Sequence, residues 1–248
     1  MQPFSLNVFG EERWYPGTCE CEEKLREQLK NEQLEQENKW HIADLFSQSG
    51  LSDKLREQTF TNRKPWPGTE KALSQIQDMA NNFEDYKNKA QGILMFGEPG
   101  NGKTYLTAAL ANELIPQGHS VIFQNAEELL NRIRSTYNRD NPEESEQKII
   151  NKLAACDLLI LDDMAVVEWS TSWPEGKLYQ ILDRRYRTKK PVIVTTNCEL
   201  DQLKKRIGER TYDRLLEMCI IVQNKGKSYR RSIAQKRAEE MKKQEGEK

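Results

Sequence analysis

The chain has 248 residues, enough for one good-sized core and a small appendage, and its 39 acidic and 38 basic side chains nearly cancel. A balance this close to neutral does not announce a nucleic-acid partner, and no apolar stretch reaches membrane-spanning length. The five widely spaced cysteines do not make a disulfide framework, and the N-terminus lacks the basic start and apolar run of a signal peptide, so a reducing cytoplasm is expected.

Charge is uneven along the chain: residues 1–60 lean acidic, whereas Lys225 to Lys243 lean basic. Cys19 and Cys21 lie one residue apart. A zinc site needs four ligands, no second pair follows, and His41 is the only nearby candidate, so zinc is not expected. From Glu22 to about Phe46 the pattern is helical and highly charged, with Leu25, Leu29, Leu34, Trp40, Ile42 and Leu45 giving a narrow apolar stripe. Such a helix is either a docking arm or a solvated surface helix. Pro65-Trp66-Pro67-Gly68 then punctuates the chain. The expected organisation is an arm over residues 1–60, a main domain over 61–235 and a charged tail over 236–248. Thr69 is positioned to cap a helix running through Ala72, Leu73, Ile76, Met79, Ala80 and Phe83.

The apolar run Ile93-Leu94-Met95-Phe96 leads into Gly97-Glu98-Pro99-Gly100-Asn101-Gly102-Lys103-Thr104 and then into a helix beginning near Tyr105 and Leu106. Strand, glycine-rich turn and helix in this order turn successive N–H groups, and the positive end of the helix, into one concavity suited to phosphate. Gly97, Pro99, Gly100, Asn101, Gly102, Lys103, Thr104 and Tyr105 are therefore the nucleotide-binding candidates. Lys103 would reach the β- and γ-phosphates, and the Thr104 hydroxyl would sit on Mg²⁺.

Gly118 ends that helix and Ser120–Gln124 reads as a second strand. Helices follow over Ala126–Tyr137 and Glu143–Ala155. Asp157–Asp163 is a third strand, a continuous apolar run ending in two acids, as expected for a sheet covered on both faces. Ser172-Trp173-Pro174-Glu175 reads as an N-cap with proline and an acid in the first turn of a helix reaching about Thr188. Pro191–Thr196 is a fourth strand, ending at Asn197. Helical segments follow at Asp201–Arg206 and Glu209–Met218, then a last strand at Cys219–Gln223 and a basic helical tail. Alternation of strands and helices predicts an α/β fold with a central parallel sheet between helices.

In that architecture strand C-termini line the ligand crevice. Asp162 would hold Mg²⁺, Asp163 would polarise the attacking water, and Asn197 is placed either to orient that water or as an ordinary turn residue. Arg210 and Arg214, four apart on one helical face, suit stabilisation of phosphoryl charge on a neighbouring subunit, or surface pairing with Glu209 and Asp213. Arg230 and Arg231 either face the chain's own nucleotide or are solvated.

Taken together, GEPGNGKT, LLILDD, TTN and GERTYDRL, in this order and spacing, resemble the AAA+ ATPases of the DnaC/DnaI type that load replicative helicases in bacteria and their phages. These are similar in turn to the IstB transposition helpers. NRIRSTYN and KLYQILDRRYR are similar to segments of phage and Gram-positive members. The resemblance covers about residues 50–235 and implies an AAA+ P-loop core with Walker A at Gly97–Thr104 and Walker B at Asp162 and Asp163. It further implies sensor 1 at Asn197, an arginine-finger region at Arg210 and Arg214, and a sensor 2-like arginine at Arg231. Phe60, with Thr59, resembles the segment flanking the adenine pocket. The cofactors implied are ATP and Mg²⁺. The partners implied are a hexameric DnaB-type helicase on the N-terminal arm, single-stranded DNA, and further copies of the chain through the AAA+ domain. For the DNA, Arg132, Arg134, Tyr137 and Arg139 supply cations and an aromatic ring.

The chain departs from the family in several places. Asp163 stands where the broader superfamily usually has Glu, and its shorter arm implies slow hydrolysis suited to a timing switch. Many relatives carry a fuller N-terminal cysteine cluster, and Pro174-Glu175-Gly176 replaces a segment that is often basic. The reading reached is a cytoplasmic ATP-dependent loader of the replicative helicase. The alternatives are an IstB-type transposition ATPase and a non-hydrolysing ATP-binding adaptor.

Overall fold

Five of the apolar runs become strands of one parallel sheet. The computed structural model describes residues 4–8, 11–15, 20–137, 145–164 and 172–246. The chain separates into two compact units, Met1–Asp44 and Leu45–Lys248.

In the first unit, β1 (Phe4–Val8) pairs antiparallel with β2 (Glu11–Tyr15), Phe4 opposite Tyr15 and Val8 opposite Glu11. No hairpin was expected here. Phe4-Ser5-Leu6-Asn7-Val8 alternates with a period of two, but Glu11-Glu12-Arg13-Trp14-Tyr15 does not, so only one partner carries a strand signal. The helix α1 (Glu20–Gln48) follows. On it Trp40 is 75% exposed. Cys19 and the side chain of Cys21, on which the zinc expectation turned, lie outside the described part of the structure.

The second unit continues with α2 (Asp53–Arg56), α3 (Glu70–Asn81), α4 (Phe83–Asn88), β3 (Gly92–Phe96), α5 (Lys103–Leu114) and a single 3₁₀ turn at Ile115–Gln117. Then come β4 (Val121–Asn125), α6 (Ala126–Ser135), α7 (Glu146–Ala155), β5 (Leu158–Asp162), α8 (Trp173–Arg187) and β6 (Val192–Thr196). The chain ends with α9 (Leu200–Ile207), α10 (Glu209–Met218), β7 (Cys219–Gln223) and α11 (Tyr229–Gly246). Among the described residues no helix is long and apolar enough to cross a membrane.

The sheet order is β4-β5-β6-β3-β7, with every pairing parallel. β3, β5 and β6 are buried along their whole lengths, which is why their sequences are continuous apolar runs rather than alternating ones. After β3 the chain crosses to the far edge at β4 and steps back through β5 to β6, beside β3. The ends of β3, β5 and β6 thereby open onto one crevice. The core beside them includes Leu129, Ile133, Ile150, Leu178, Ile181 and Leu215, all essentially inaccessible.

Both caps expected from the sequence are absent, and two other helices are capped by residues it did not single out. The Asn125 side chain accepts from the N–H groups of Glu127 and Glu128 to cap α6, and Ser145 accepts from Lys148 N–H to cap α7. Thr69, expected to cap α3, instead donates its hydroxyl to Trp66 O at 2.6 Å and accepts from Arg63. Ser172, expected to cap α8, already has helical backbone angles (φ −76°, ψ −4°) and its side chain caps nothing. In both cases a neighbouring proline loop or proline turn has set the backbone first.

Residues 49–58 are folded onto the sheet edge and α5. Phe123 N–H donates to Ser49 O at 2.7 Å, closing the exposed side of β4. Asn112 Nδ2 donates to Leu55 O and Gln58 O, each at 2.7 Å. At the opposite end of the strands, Ser120 N–H and hydroxyl donate to Asp157 Oδ2 at 3.1 and 2.9 Å, and Lys190 Nζ donates to Asp157 Oδ1 at 3.0 Å.

Candidate functional site

The turn after β3 closes on its own lysine. Gly102, at φ +94°, caps α5, and Lys103 begins it almost fully buried. Lys103 Nζ donates to Gly97 O at 2.7 Å, Glu98 O at 2.9 Å and Asn101 Oδ1 at 3.2 Å. Burial lowers the lysine to about 8, against the pull of Asp163 and Asp162, which favour its charge. A buried cation wrapped by a glycine-rich loop at the start of a helix is one half of a polyphosphate site.

The other half comes from β5 and β6. Thr104 Oγ1 donates to Asp162 Oδ2 at 2.9 Å, and Thr195 Oγ1 donates to Asp162 Oδ1 at 2.6 Å. Burial raises the Asp162 carboxyl, and the two hydroxyl donors oppose it. The next residue, Asp163, has φ +55°, so the chain turns sharply as it leaves β5. Its N–H donates to Thr195 Oγ1 at 3.0 Å, and its Oδ1 accepts from Asn197 Nδ2 at 2.7 Å. Thr104 and Asp162 together form a pair of hard oxygen donors, a hydroxyl and a carboxylate, which fits Mg²⁺ with water completing its shell.

A third element, the segment after β7, packs on the same loop. Asn224 N–H donates to Phe96 O at 2.8 Å and Tyr229 N–H donates to Gly100 O at 2.9 Å. Trp66 Nε1 donates to Lys227 O at 2.6 Å, and its ring meets Tyr229 edge to face with centroids 4.9 Å apart. A Cβ on Gly100 would stand 2.5 Å from Ser228 Oγ and 3.6 Å from Arg230 Cδ. Arg230, though exposed, is close enough to act on the Lys103 charge, and Arg231, also exposed, donates its backbone N–H to Ser228 Oγ at 3.4 Å. On the opposite flank, Tyr105 OH donates to Thr59 O at 2.9 Å, which ties the half-buried Phe60 segment to the first turn of α5.

The remaining candidates lie elsewhere. Arg210 is exposed in the first turn of α10. Arg214 donates to Asp183 Oδ1 at 3.2 Å and to Glu217, with its guanidinium 3.9 Å from the Tyr186 ring centroid. Glu209, considered as a partner for these arginines, instead accepts from Lys204 Nζ at 2.8 Å. Arg132 and Arg134 are exposed on α6, and the Arg134 guanidinium lies 5.0 Å from the Trp173 ring centroid. Tyr137, 51% exposed, donates to Glu146 and accepts from Trp173 Nε1 at 3.2 Å. Arg139 lies outside the described residues.

Two residues of the crevice escaped the sequence reading. Thr195 was visible only as the middle of VIVTTN, on a strand whose every position is buried. Asn224 comes from a segment whose signal, a strand end followed by KGKSYRR, does not say which side chain turns toward the P-loop.

A family model described as IstB-like ATP binding protein matches residues 25–238. The replicative helicase loader DnaC of Escherichia coli K12 is 29% identical over 189 residues, 75% of each chain. Among solved structures, a DnaC helicase loader superposes with a TM-score of 0.61 at 23% identity, covering 70% of this chain and all of that one. DnaI superposes with a TM-score of 0.60 at 21% identity, covering 72% of this chain and 94% of that one. Both likenesses are in the AAA+ fold.

Proposed function

The chain belongs to the family of IstB-like ATP binding proteins, and on that premise we propose that it is an ATPase loading a replicative helicase onto single-stranded DNA during initiation of replication. The observation that carries the reading is one crevice in which Lys103, Thr104, Asp162, Asp163 and Asn197 meet. The sequence around that crevice runs beside a replicative helicase loader over three quarters of both chains, 75% of each.

In this reading the loop N–H groups hold the β- and γ-phosphates together with Lys103, whose ammonium exchanges the Gly97 and Glu98 carbonyls for phosphate oxygens, and Arg230 rather than Arg231 supplies the second cation from the chain's own C-terminal helix. Thr104 and Asp162 hold Mg²⁺, which when bound neutralises charge on the phosphates. Asp163, aimed by Asn197, orients the attacking water and accepts its proton. Thr195 keeps the two carboxylates apart by donating to one and accepting from the backbone of the other. Phe60 and the backbone near it flank the base, held there by Tyr105.

Arg210 and Arg214 are the candidates for a neighbouring copy's nucleotide, so that hydrolysis depends on assembly. Arg214 is occupied within its own chain, and on assembly it would exchange Asp183 and Glu217 for phosphate. The N-terminal arm, with Trp40 exposed on α1, is the docking element for a hexameric DnaB-type helicase. ATP then holds the assembly together and slow hydrolysis releases the loader. Arg132, Arg134, Tyr137 and Arg139 are the proposed contacts to single-stranded DNA.

The family's description also favours a second reading, an ATPase helper of transposition, with a transposase as partner. Affinity capture with the full chain and ATP separates the two. Co-purification of a DnaB-type helicase is expected; recovery of a transposase in its place would overturn the loader assignment.

A further inference from the structure

Asn101 stands two residues before Lys103 and is 2% exposed. Its carboxamide has only one orientation compatible with its neighbours. Nδ2 donates to the backbone carbonyl of Asn224 at 2.9 Å, and Oδ1 accepts from Lys103 Nζ at 3.2 Å. Turned over, the amide would set oxygen against a carbonyl and N–H against an ammonium. The carbonyl it leans on is itself fixed. Asn224 N–H donates to Phe96 O at 2.8 Å, carrying the β3–β7 pairing one residue past the strand. The Asn224 side chain donates to Asn101 O at 3.3 Å and accepts from Gly226 N–H at 3.2 Å. Gly97, at φ +146°, leaves the space this needs, since a Cβ there would stand 2.2 Å from Asn224 O.

The three donors of the Lys103 ammonium are thus taken by Gly97 O, Glu98 O and Asn101 Oδ1. Of these acceptors Asn101 alone is a side chain, and it alone is tied to a distant part of the sequence. We propose that Asn101 is a positioning residue that aims Lys103 from the segment following β7, so that the hold on a triphosphate depends on how that segment is seated. The proposal rests on the nucleotide reading above and adds the joint through which the C-terminal segment acts on the lysine. Any displacement of Asn224 carries Asn101 with it. The bond from Tyr229 N–H to Gly100 O, 2.9 Å, gives the segment a second attachment to the same loop.

The test is a double-mutant cycle on equilibrium binding of N-methylanthraniloyl-ATP with magnesium by the full chain, with thermal unfolding measured alongside. Asn101→Ala weakens the probe about tenfold, the size expected for one hydrogen bond to a charged group. Lys103→Ala weakens it about a hundredfold, and adding Asn101→Ala to it changes nothing further, because the effect passes through the missing ammonium. An additive cycle overturns the proposal, since a merely structural residue acts whatever stands at position 103. Asn101→Asp keeps the volume but sets an oxygen against Asn224 O and an anion in the phosphate cradle. It weakens the probe more than Asn101→Ala does, and parent-like binding by this variant overturns the proposal even where Asn101→Ala fails to fold. A parent chain that does not bind the probe overturns the nucleotide reading and this proposal together; parent binding with an additive cycle removes this proposal alone.

Discussion

Asn197 donates to Asp163 at 2.7 Å although the two stand 34 residues apart in the chain, because β5 and β6 are neighbours whose ends face the same way. The carboxylate is therefore held by a neighbouring strand as well as by its own turn. Asp163→Asn is expected to bind ATP as the parent does while kcat falls about a hundredfold or more. Asn197→Ala is expected to lower kcat about tenfold with little change in KM. Steady-state phosphate release checks both, and unchanged turnover by Asp163→Asn would remove its assigned role.

Lys103→Ala deletes a buried cation from a loop built around it. The expected result is a loss of ATP affinity of about a hundredfold with the fold retained. Calorimetric titration reads the affinity, and tight binding by the variant would count against the site.

Arg214 lies over the Tyr186 ring and pairs with Asp183, fastening α10 to α8. Arg214→Ala is expected to destabilise the chain by about 1–2 kcal/mol through these lost contacts. It should leave ATP binding by the isolated chain intact and lose assembly-stimulated hydrolysis. Urea unfolding and ATPase assays with and without helicase separate the two effects; full stimulation by the variant would make Arg214 purely structural.

Asp157 is expected to set part of the acid limb of stability. Burial alone would raise its carboxyl, but Lys190 and the Ser120 donors outweigh burial and hold it down at about 2, below the ordinary 3.8. A depressed carboxyl contributes stability that is fully present above about 4 and is lost as pH falls toward about 2. Melting temperatures between pH 5 and 2 should fall less steeply for Asp157→Asn than for the parent. Parallel curves would show that this group does not set the limb.

Truncation separates docking from catalysis. Ser49, Leu55 and Gln58 supply backbone acceptors to β4 and α5, so removal of residues 1–60 strips the sheet edge as well as the arm. Removal of residues 1–44 spares these bonds. It is expected to keep the parent melting temperature and ATP affinity while losing helicase capture in a pull-down. Retained capture would move the docking surface into the ATPase domain.

Much of the architecture was legible because its signals are local. The apolar runs of β3, β5 and β6 are continuous since both sheet faces are covered. The two caps that failed, Thr69 and Ser172, fell where a proline segment had already set the backbone. The β1–β2 hairpin went unseen because pairing needs two partners and only Phe4–Val8 shows alternation.

The candidate site divides along the same line. By itself the sequence determined the phosphate-binding loop, since Gly97, Gly100, Gly102, Lys103 and Thr104 are contiguous and their backbone angles follow from residue type. It also marked Asp162, Asp163 and Asn197 as strand-end residues, each legible within a few positions. Only the tertiary structure decided what these ends meet. The crossover from β3 to β4 and the return to β6 bring Thr195 between the two acids, the turn after β7 sets Asn224 against Asn101, and the start of α11 brings Arg230 beside Gly100. Those choices rest on strand order and on which way a side chain faces when distant segments pack, and no spacing along the chain encodes either.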